Sequence, residues 1–353
     1  MSKEAPISRI TNAALVFAGT AAAIALLYFL RDILIPFVIA FVLSVIVDAP
    51  VEAMRRRWPA APKWAVTGLV GLLVIVSTAA GIYILSAGAV RLVANGPALL
   101  DRLDRLAMAA GAALHLSKPM HLDAVVGSLD MKQIAGFLLA GLQGVGGTLV
   151  LIILYFGFMV FGRARIAAKH DTMAGASHAA QSPNLIVARI ASDVRTYLWV
   201  QTVTGAMITA ASTVVMLAVG LDNVAFWTVV IFLLTFIPNI GVTVGSLAPA
   251  LFGLLQFPSA WQGVVIFAVI QVAAFVVGNM IYPKMQAETQ NIDPVATIFA
   301  LSFWTLLWGI SGAFLAVPLT LVVMMIFAQF DSTKWVAALL SNDGRPDLTP
   351  GDA

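Results

Sequence analysis

The chain reads as an all-α, polytopic integral membrane protein with about seven or eight membrane segments, and three observations carry that reading. Of its 353 residues, 61% are hydrophobic and 10% are charged, whereas a soluble globular chain carries about 25% charged residues. The apolar residues gather in runs long enough to cross a bilayer, which takes about 20 of them in a helix. Two of the runs, in the C-terminal half, are longer than one crossing needs and are interrupted at the centre by glycine and proline. A soluble fold of this length cannot hide so much apolar surface, because the area it must show to water is too large; a surface facing lipid has no such requirement.

Composition also removes several classes of function. The net charge of +3 is small and dispersed, which argues against a nucleic-acid partner, since that needs a concentrated basic face. There is no cysteine, so disulfides, thiolate metal sites and cysteine nucleophiles are excluded. His115, His121, His170 and His178 fall in polar connecting segments without metal-ligand spacing. With no histidine in the apolar segments, serine and threonine have no neighbouring base to activate them. No phosphate loop or metal motif occurs, and the chain reads as a non-enzyme with no cofactor.

Residues 1–63 form the first unit, a helical hairpin with a basic edge. An apolar run at 10–30 is interrupted by Arg31 and Asp32, and a second run follows at 33–47. Lys3 and Arg9 ahead of the first run, with alanines at 21–23, have the outline of a signal peptide. The further apolar segments downstream favour an uncleaved first span. Pro36 is expected in the first turn of the second helix, where its missing N–H costs little. Arg55, Arg56, Arg57 and Trp58, then Lys63 and Trp64, make a basic and aromatic membrane edge.

Residues 64–90 are a long third span. Residues 91–133 are the first polar stretch, an amphipathic extramembrane segment: Leu99, Leu100, Leu103 and Leu106 fall near one helical face, Asp101, Arg102, Asp104 and Arg105 on the other. Residues 134–220 hold the fourth and fifth spans with a basic connection. Gly141, Gly144, Gly146 and Gly147 in the fourth would admit a close neighbouring helix. Ser182 and Pro183 are an N-cap and first-turn pair opening the helix that becomes the fifth span. Arg55–Arg57 with Lys63, and Arg163, Arg165, Lys169, Arg189 and Arg195, fall on one side if the first four spans alternate. That side is expected to be cytoplasmic, with both termini on it, although Arg91, Arg102, Arg105, Lys118 and Lys132 lie on the other.

Residues 221–330 are expected to be the transport half, followed by a polar tail at 331–353. The stretch 224–256 is uncharged; as one helix it would run about 50 Å at 1.5 Å per residue, against a hydrocarbon core of about 30 Å. Its centre is Phe236-Ile237-Pro238-Asn239-Ile240-Gly241. Pro238 removes a helical hydrogen bond and Gly241 permits a turn. The stretch 295–330 repeats the pattern around Trp308-Gly309-Ile310-Ser311-Gly312, with Pro318 beyond. One ordinary span, 261–282, separates the two. Either each stretch is a helical hairpin, the two inverted relative to one another, or each is a tilted, kinked helix crossing once. Paired broken segments of this kind point to a transporter's substrate site. Trp308 at such a tip is unusual, because membrane tryptophans favour interfaces.

Between Tyr197 and Tyr282 the only charged residue is Asp222, and 295–330 has none. A charged substrate held by a buried counter-charge is therefore disfavoured. The substrate-binding candidates are neutral: Pro238, Asn239, Gly241, Gln201, Gln271, Asn279, Gly309, Ser311 and Gly312. Gln271 and Asn279, eight residues apart, share a helical face. Such side chains suit a small neutral polyhydroxylated solute, or they hold helices together. A polar residue at an interrupted helix tip, such as Asn239, lines a cavity more often than lipid. Coupling to H⁺ or Na⁺ would need a carboxylate at a span end, with Asp48, Asp193 and Asp293 the first candidates.

Several of these stretches together resemble the autoinducer-2 exporter (AI-2E) family, formerly the PerM-like or UPF0118 permeases. They are Ile35–Phe41 in sequence with 48–57 after it, Tyr197-Leu198-Trp199-Val200-Gln201, the Phe236–Gly241 motif, Asn279-Met280-Ile281-Tyr282-Pro283, and 308–318. The likeness covers about residues 10 to 330. It implies a homo-oligomeric secondary transporter, a pentamer among the forms, in a bacterial inner membrane. The family's namesake exports neutral autoinducer-2, and other members are linked to sodium/proton antiport. Asp48-Ala49-Pro50 departs from the Asn-Pro pair often found there. The expectation is thus an exporter of a small neutral solute, with a cation/proton antiporter and a membrane scaffold acting through 91–133 as alternatives.

Overall fold

The computed structural model describes residues 6–113, 147–160, 162, 183–238, 240–286 and 292–344. Every element among the described residues is helical: α1 (Pro6–Phe29), α2 (Arg31–Arg57), α3 (Lys63–Ala94), α4 (Gly96–Ala113), α5 (Gly147–Val160), α6 (Pro183–Val219), α7 (Val224–Thr235), α8 (Gly241–Gln256), α9 (Trp261–Val276), α10 (Pro294–Ala328) and α11 (Lys334–Leu340). Large apolar side chains such as Phe17, Trp64, Phe158 and Leu306 face outward, as a lipid-facing surface requires. Gly141, Gly144, Gly146 and the histidines lie outside the described residues.

The N-terminal elements differ in detail from the sequence reading. Leu30 (φ −89°, ψ 6°) alone separates α1 from α2, so Arg31 and Asp32 open α2 instead of forming a linker. Pro36 consequently sits inside the helix and is buried, as a second turn residue; Leu34 N donates to Leu30 O at 2.9 Å across the preceding turn. Asp32 remains favourably placed in the first turn, near the positive end of the helix dipole. Arg102, on the polar face of α4, donates to the carbonyls of Phe257 (3.1 Å) and Pro258 (2.7 Å), fastening α4 to the end of α8.

The first broken stretch is an antiparallel helix pair. α7 has 12 residues and α8 has 16, about 18 and 24 Å at 1.5 Å per residue, each short of a core about 30 Å thick. Their contacts run in opposite chain directions. Asp222 N donates to the Gln256 side chain at 2.8 Å, Trp227 packs on Phe252, Gly245 lies against Ile231, and Gly241 lies against Leu234. At Gly241 a Cβ would stand 1.7 Å from the Leu234 carbonyl oxygen. Only glycine lets the chain close there.

The second stretch also folds back, although helical hydrogen bonding continues on either side of its break. Gly309 has φ 62° and ψ −142°, a backbone conformation left to glycine. Trp304 Nε1 donates to Thr320 Oγ1 at 3.1 Å, whereas 16 residues of straight helix would separate them by about 24 Å. Gly312 repeats the role of Gly241: a Cβ there would stand 1.9 Å from the Trp304 carbonyl oxygen. The two arms, 294–308 and 310–328, are brought together at their open end as well. Asp293 N donates to Leu340 O at 3.0 Å, after α11 has returned to the start of α10.

α6 is the axis on which both hairpins are mounted. Its 37 residues extend about 55 Å. The C-terminal half, through Ile208, Val215 and Met216, packs on α7, α8 and α9. The N-terminal half, through Val194, Tyr197 and Leu198, packs on Val45 of α2, on Val317, Leu321 and Met324 of α10, and on Ala337 of α11. The open end of the first hairpin adjoins the end of α6, where Gln256 Nε2 donates to Gly220 O at 3.1 Å. Its tip reaches back to Gln201. The open end of the second hairpin lies by the opposite half of α6. The two hairpins therefore point in opposite senses along one helix, as the inverted reading anticipated.

α9 runs between them and carries a π turn at Val277–Ile281 before a last α-helical turn, Tyr282–Gln286. Tyr282 N donates to Val277 O, five residues back. The wider turn accommodates Pro283, which cannot donate and would crowd the carbonyl four residues earlier.

The three special glycines should respond differently to alanine. Gly241→Ala and Gly312→Ala should abolish recovery of monodisperse protein in detergent, because the added methyl overlaps main chain. Gly309→Ala meets nothing within 4 Å, so it should fold but melt lower, by backbone strain of about 1–3 kcal/mol. Gly278→Ala, helical and with open space, should melt like the parent in a thermal-shift assay.

Candidate functional site

The region where the hairpins approach one another is built from the tips inward. At the first tip, Phe236 N and Ile237 N donate to Leu233 O and Leu234 O, and Gly241 N donates to Ile237 O at 3.0 Å. These turn bonds replace part of the ladder that Pro238 interrupts. The carbonyl of Thr235, last residue of α7, accepts from Gln201 Nε2 of α6 at 2.5 Å. A helix's last carbonyls have no partner of their own, and in a bilayer such a group must find one inside the protein. Gly205, one turn along α6, lets the Thr235 side chain approach: a Cβ there would stand 2.4 Å from its hydroxyl.

The second tip is held in a comparable way. Trp308 Nε1 donates at 2.9 Å to the carbonyl of Leu27, in the final turn of α1. Trp304 and Trp308 are both buried and pack together, centroids 5.3 Å apart. The one polar group of Trp308 is spent on a helix end. Ile237 of the first tip packs against the cluster formed by Trp304, Trp308, Ala313 and Ala316. The first tip thus meets the second hairpin through apolar contact.

The predicted residues are distributed unevenly over this arrangement. Pro238, Gly241, Gly309 and Gly312 are at the tips and shape the backbone. Ser311 is half-buried beside Gly309, and Asn239 lies outside the described residues. Gln201 is occupied by the Thr235 carbonyl. Gln271 is half-buried and accepts from Ser246 Oγ at 3.3 Å, linking α9 to α8. Asn279 does not share its setting: it is exposed in the π turn and donates to Phe275 O at 2.9 Å. The extra residue in that turn rotates it away from the face that the 3.6-residue period predicts. A groove of about 510 Å³ along α1, lined by Phe17, Ile24, Tyr28, Phe29 and Leu307, touches the second hairpin but holds none of these residues.

Of the coupling candidates, Asp293 is the N-cap of α10. Its Oδ1 accepts from Val295 N at 2.7 Å and Ala296 N at 3.1 Å, a helix-capping role. Asp193 is half-buried on α6 beside Val194. Asp48 falls within α2, its side chain outside the described set. No group of three metal-binding side chains occurs among the described residues.

Sequence reasoning missed a second set of polar residues. Thr213 Oγ1 and Thr228 Oγ1 are 2.8 Å apart between α6 and α7. Thr209 Oγ1 and Trp227 Nε1 are buried without a partner among the described residues, each at a cost of about 1–3 kcal/mol for an unsatisfied polar group. The spacing Gln201, Gly205, Thr209, Thr213 was a legible signal, since residues four apart share a helical face.

The comparisons with known proteins agree with this architecture. The model of the AI-2E family transporter matches residues 17–331. The "Putative transport protein YhhT" of Escherichia coli (strain K12) is 25% identical over 325 residues, covering 89% of each chain. The "AI-2 transport protein TqsA" of the same organism is 23% identical over 326 residues, covering 89% of this chain and 91% of the relative. With that match spanning both hairpins and the helix they share, the chain belongs to the AI-2E transporter family.

Proposed function

We propose that the chain is a secondary transporter that exports a small neutral solute of the autoinducer-2 kind across the bacterial inner membrane, as a homo-oligomer with both termini in the cytoplasm. The observation that supports this best is the pair of charge-free hairpins set in opposite senses on α6, with Ile237 of the first tip packed on the apolar cluster of the second. Each hairpin reaches only part-way across a bilayer from its own side, so a rocking of one against the other exposes the space between the tips alternately. The absence of charge from both hairpins suits a neutral cargo. The printed name of the TqsA relative supports the solute class. In this proposal residues 221–330 form the transport half, and the helices before them support it.

Inverted membrane vesicles loaded by external autoinducer-2 test the reading. Asn239→Ala and Gln271→Ala should each lower accumulation several-fold at equal protein level; unchanged flux in both removes the tips from the pathway. If sodium pulses release protons from proteoliposomes and Asp48→Asn or Asp193→Asn abolishes the release, the cation/proton antiporter reading replaces it.

Asp293 separates capping from coupling. Asp293→Asn keeps the acceptor and should retain flux. Asp293→Ala should lower stability by about 0.5–2 kcal/mol, the usual loss for a removed cap, as read from the melting midpoint. Loss of flux in a stably folded Asp293→Asn would instead assign this carboxylate to coupling.

A further inference from the structure

We propose that the α6 face carrying Gln201, Gly205, Thr209 and Thr213 is a binding track for small polyhydroxylated neutral solutes, with the Thr209 hydroxyl as its open position; this rests on the export reading above and names where the cargo is held. The four residues recur at intervals of four and so line one stripe of α6. Three of them are shown to face the first hairpin: Gln201 by its bond to the Thr235 carbonyl, Gly205 by the Thr235 hydroxyl seated on it, and Thr213 by its hydroxyl pair with Thr228. Thr209 lies between them on the same stripe. It is 7% exposed, and its hydroxyl has no partner among the described residues. Its neighbours Thr204, Ser212 and Thr213 on α6 all return their hydroxyls to carbonyls of their own helix, so Thr209 departs from the local habit.

The chemistry selects the ligand class. Every side-chain group on the track is neutral, and hydroxyls both donate and accept. A cargo carrying several hydroxyl groups can take the Thr209 position and exchange with the Thr213–Thr228 pair without leaving a charge in the low-dielectric interior. A cation or anion would find no counter-charge there, since Asp222 is the only charged residue between Tyr197 and Tyr282. A second unpartnered donor, Trp227 Nε1, belongs to the residue before Thr228 on the hairpin arm. The track leads from the hairpin tip at Gln201 toward the open end of the hairpin, the direction a solute released from between the tips would take.

The test has two arms. In the vesicle assay with autoinducer-2 as the probe, Thr209→Val should lower flux at least five-fold and Thr209→Ser should restore it, and neither should melt below the parent, because the Thr209 hydroxyl holds no hydrogen bond among the described residues. Parental flux in Thr209→Val, with the parent itself active, overturns the track while leaving the export reading standing. Should the parent carry no autoinducer-2, the solute reading fails and the second arm decides the track. The chain has no native cysteine, so Thr209→Cys can be labelled uniquely with a small neutral methanethiosulfonate in proteoliposomes. Labelling at least ten-fold faster than Val214→Cys, which faces outward at 67% exposure, supports a hydrated track. Equal, slow labelling at both positions overturns it.

Discussion

In a bilayer a main-chain N–H or C=O that loses its helical partner has no water to turn to, and this constraint organises the whole C-terminal half. Each hairpin reverses the chain where that loss threatens, and each is tied down by side-chain hydrogen bonds. At the first tip the turn bonds of Phe236, Ile237 and Gly241 and the amide of Gln201 take up the freed groups. At the second, the indole of Trp308 serves the open end of α1, and the indole of Trp304 serves Thr320 in the opposite arm. The repairs come from different parts of the chain, so the tips are tied to α6 and α1 as well as to themselves.

The two tips solve the same steric problem with the same device. A glycine on the second arm sits directly on a carbonyl of the first: Gly241 on Leu234, Gly312 on Trp304. Lipid supplies no hydrophobic drive for helices to associate, so close van der Waals packing has to hold them. Removing the Cβ at the crossing is what permits that closeness. Proline does less than its position suggests. Pro238 disrupts the ladder, yet Pro36, Pro50, Pro249 and Pro318 all lie within continuous helix, and Pro283 is absorbed by a π turn.

Function follows from what the hairpins share and what they lack. They share α6, one at each half of it, so displacement of either is felt by the same helix. They lack charge, so the only electrostatics near the tips are hydroxyls, amides and helix ends. Most of the conspicuous amides turn out to be structural: Gln201 and Gln271 each join two elements. Among the described residues, unfilled hydrogen-bonding capacity lies about two turns from Gln201, at Thr209, and in the indole of Trp227. The proposed cargo, a neutral solute with donors and acceptors of its own, suits those groups.

Composition and the lengths of the apolar runs determined the membrane class, and Gly-Pro interruption near Pro238 and Gly309 located both reversals, because backbone geometry is a local property of these residues. Sequence spacing also contained the Gln201–Thr213 stripe, though nothing local marked it as facing a hairpin. Only the tertiary structure decided which polar groups were spent. Whether Gln201 meets a carbonyl or a cavity depends on Thr235, 34 residues away, and whether Trp308 is out of place depends on Leu27, 281 residues away. Asn279 is off its predicted face within a π turn, Val277–Ile281, that the apolar pattern does not show. Hydrogen bonds between distant segments are set by packing, and a one-dimensional pattern carries the propensity to form them without naming the partner.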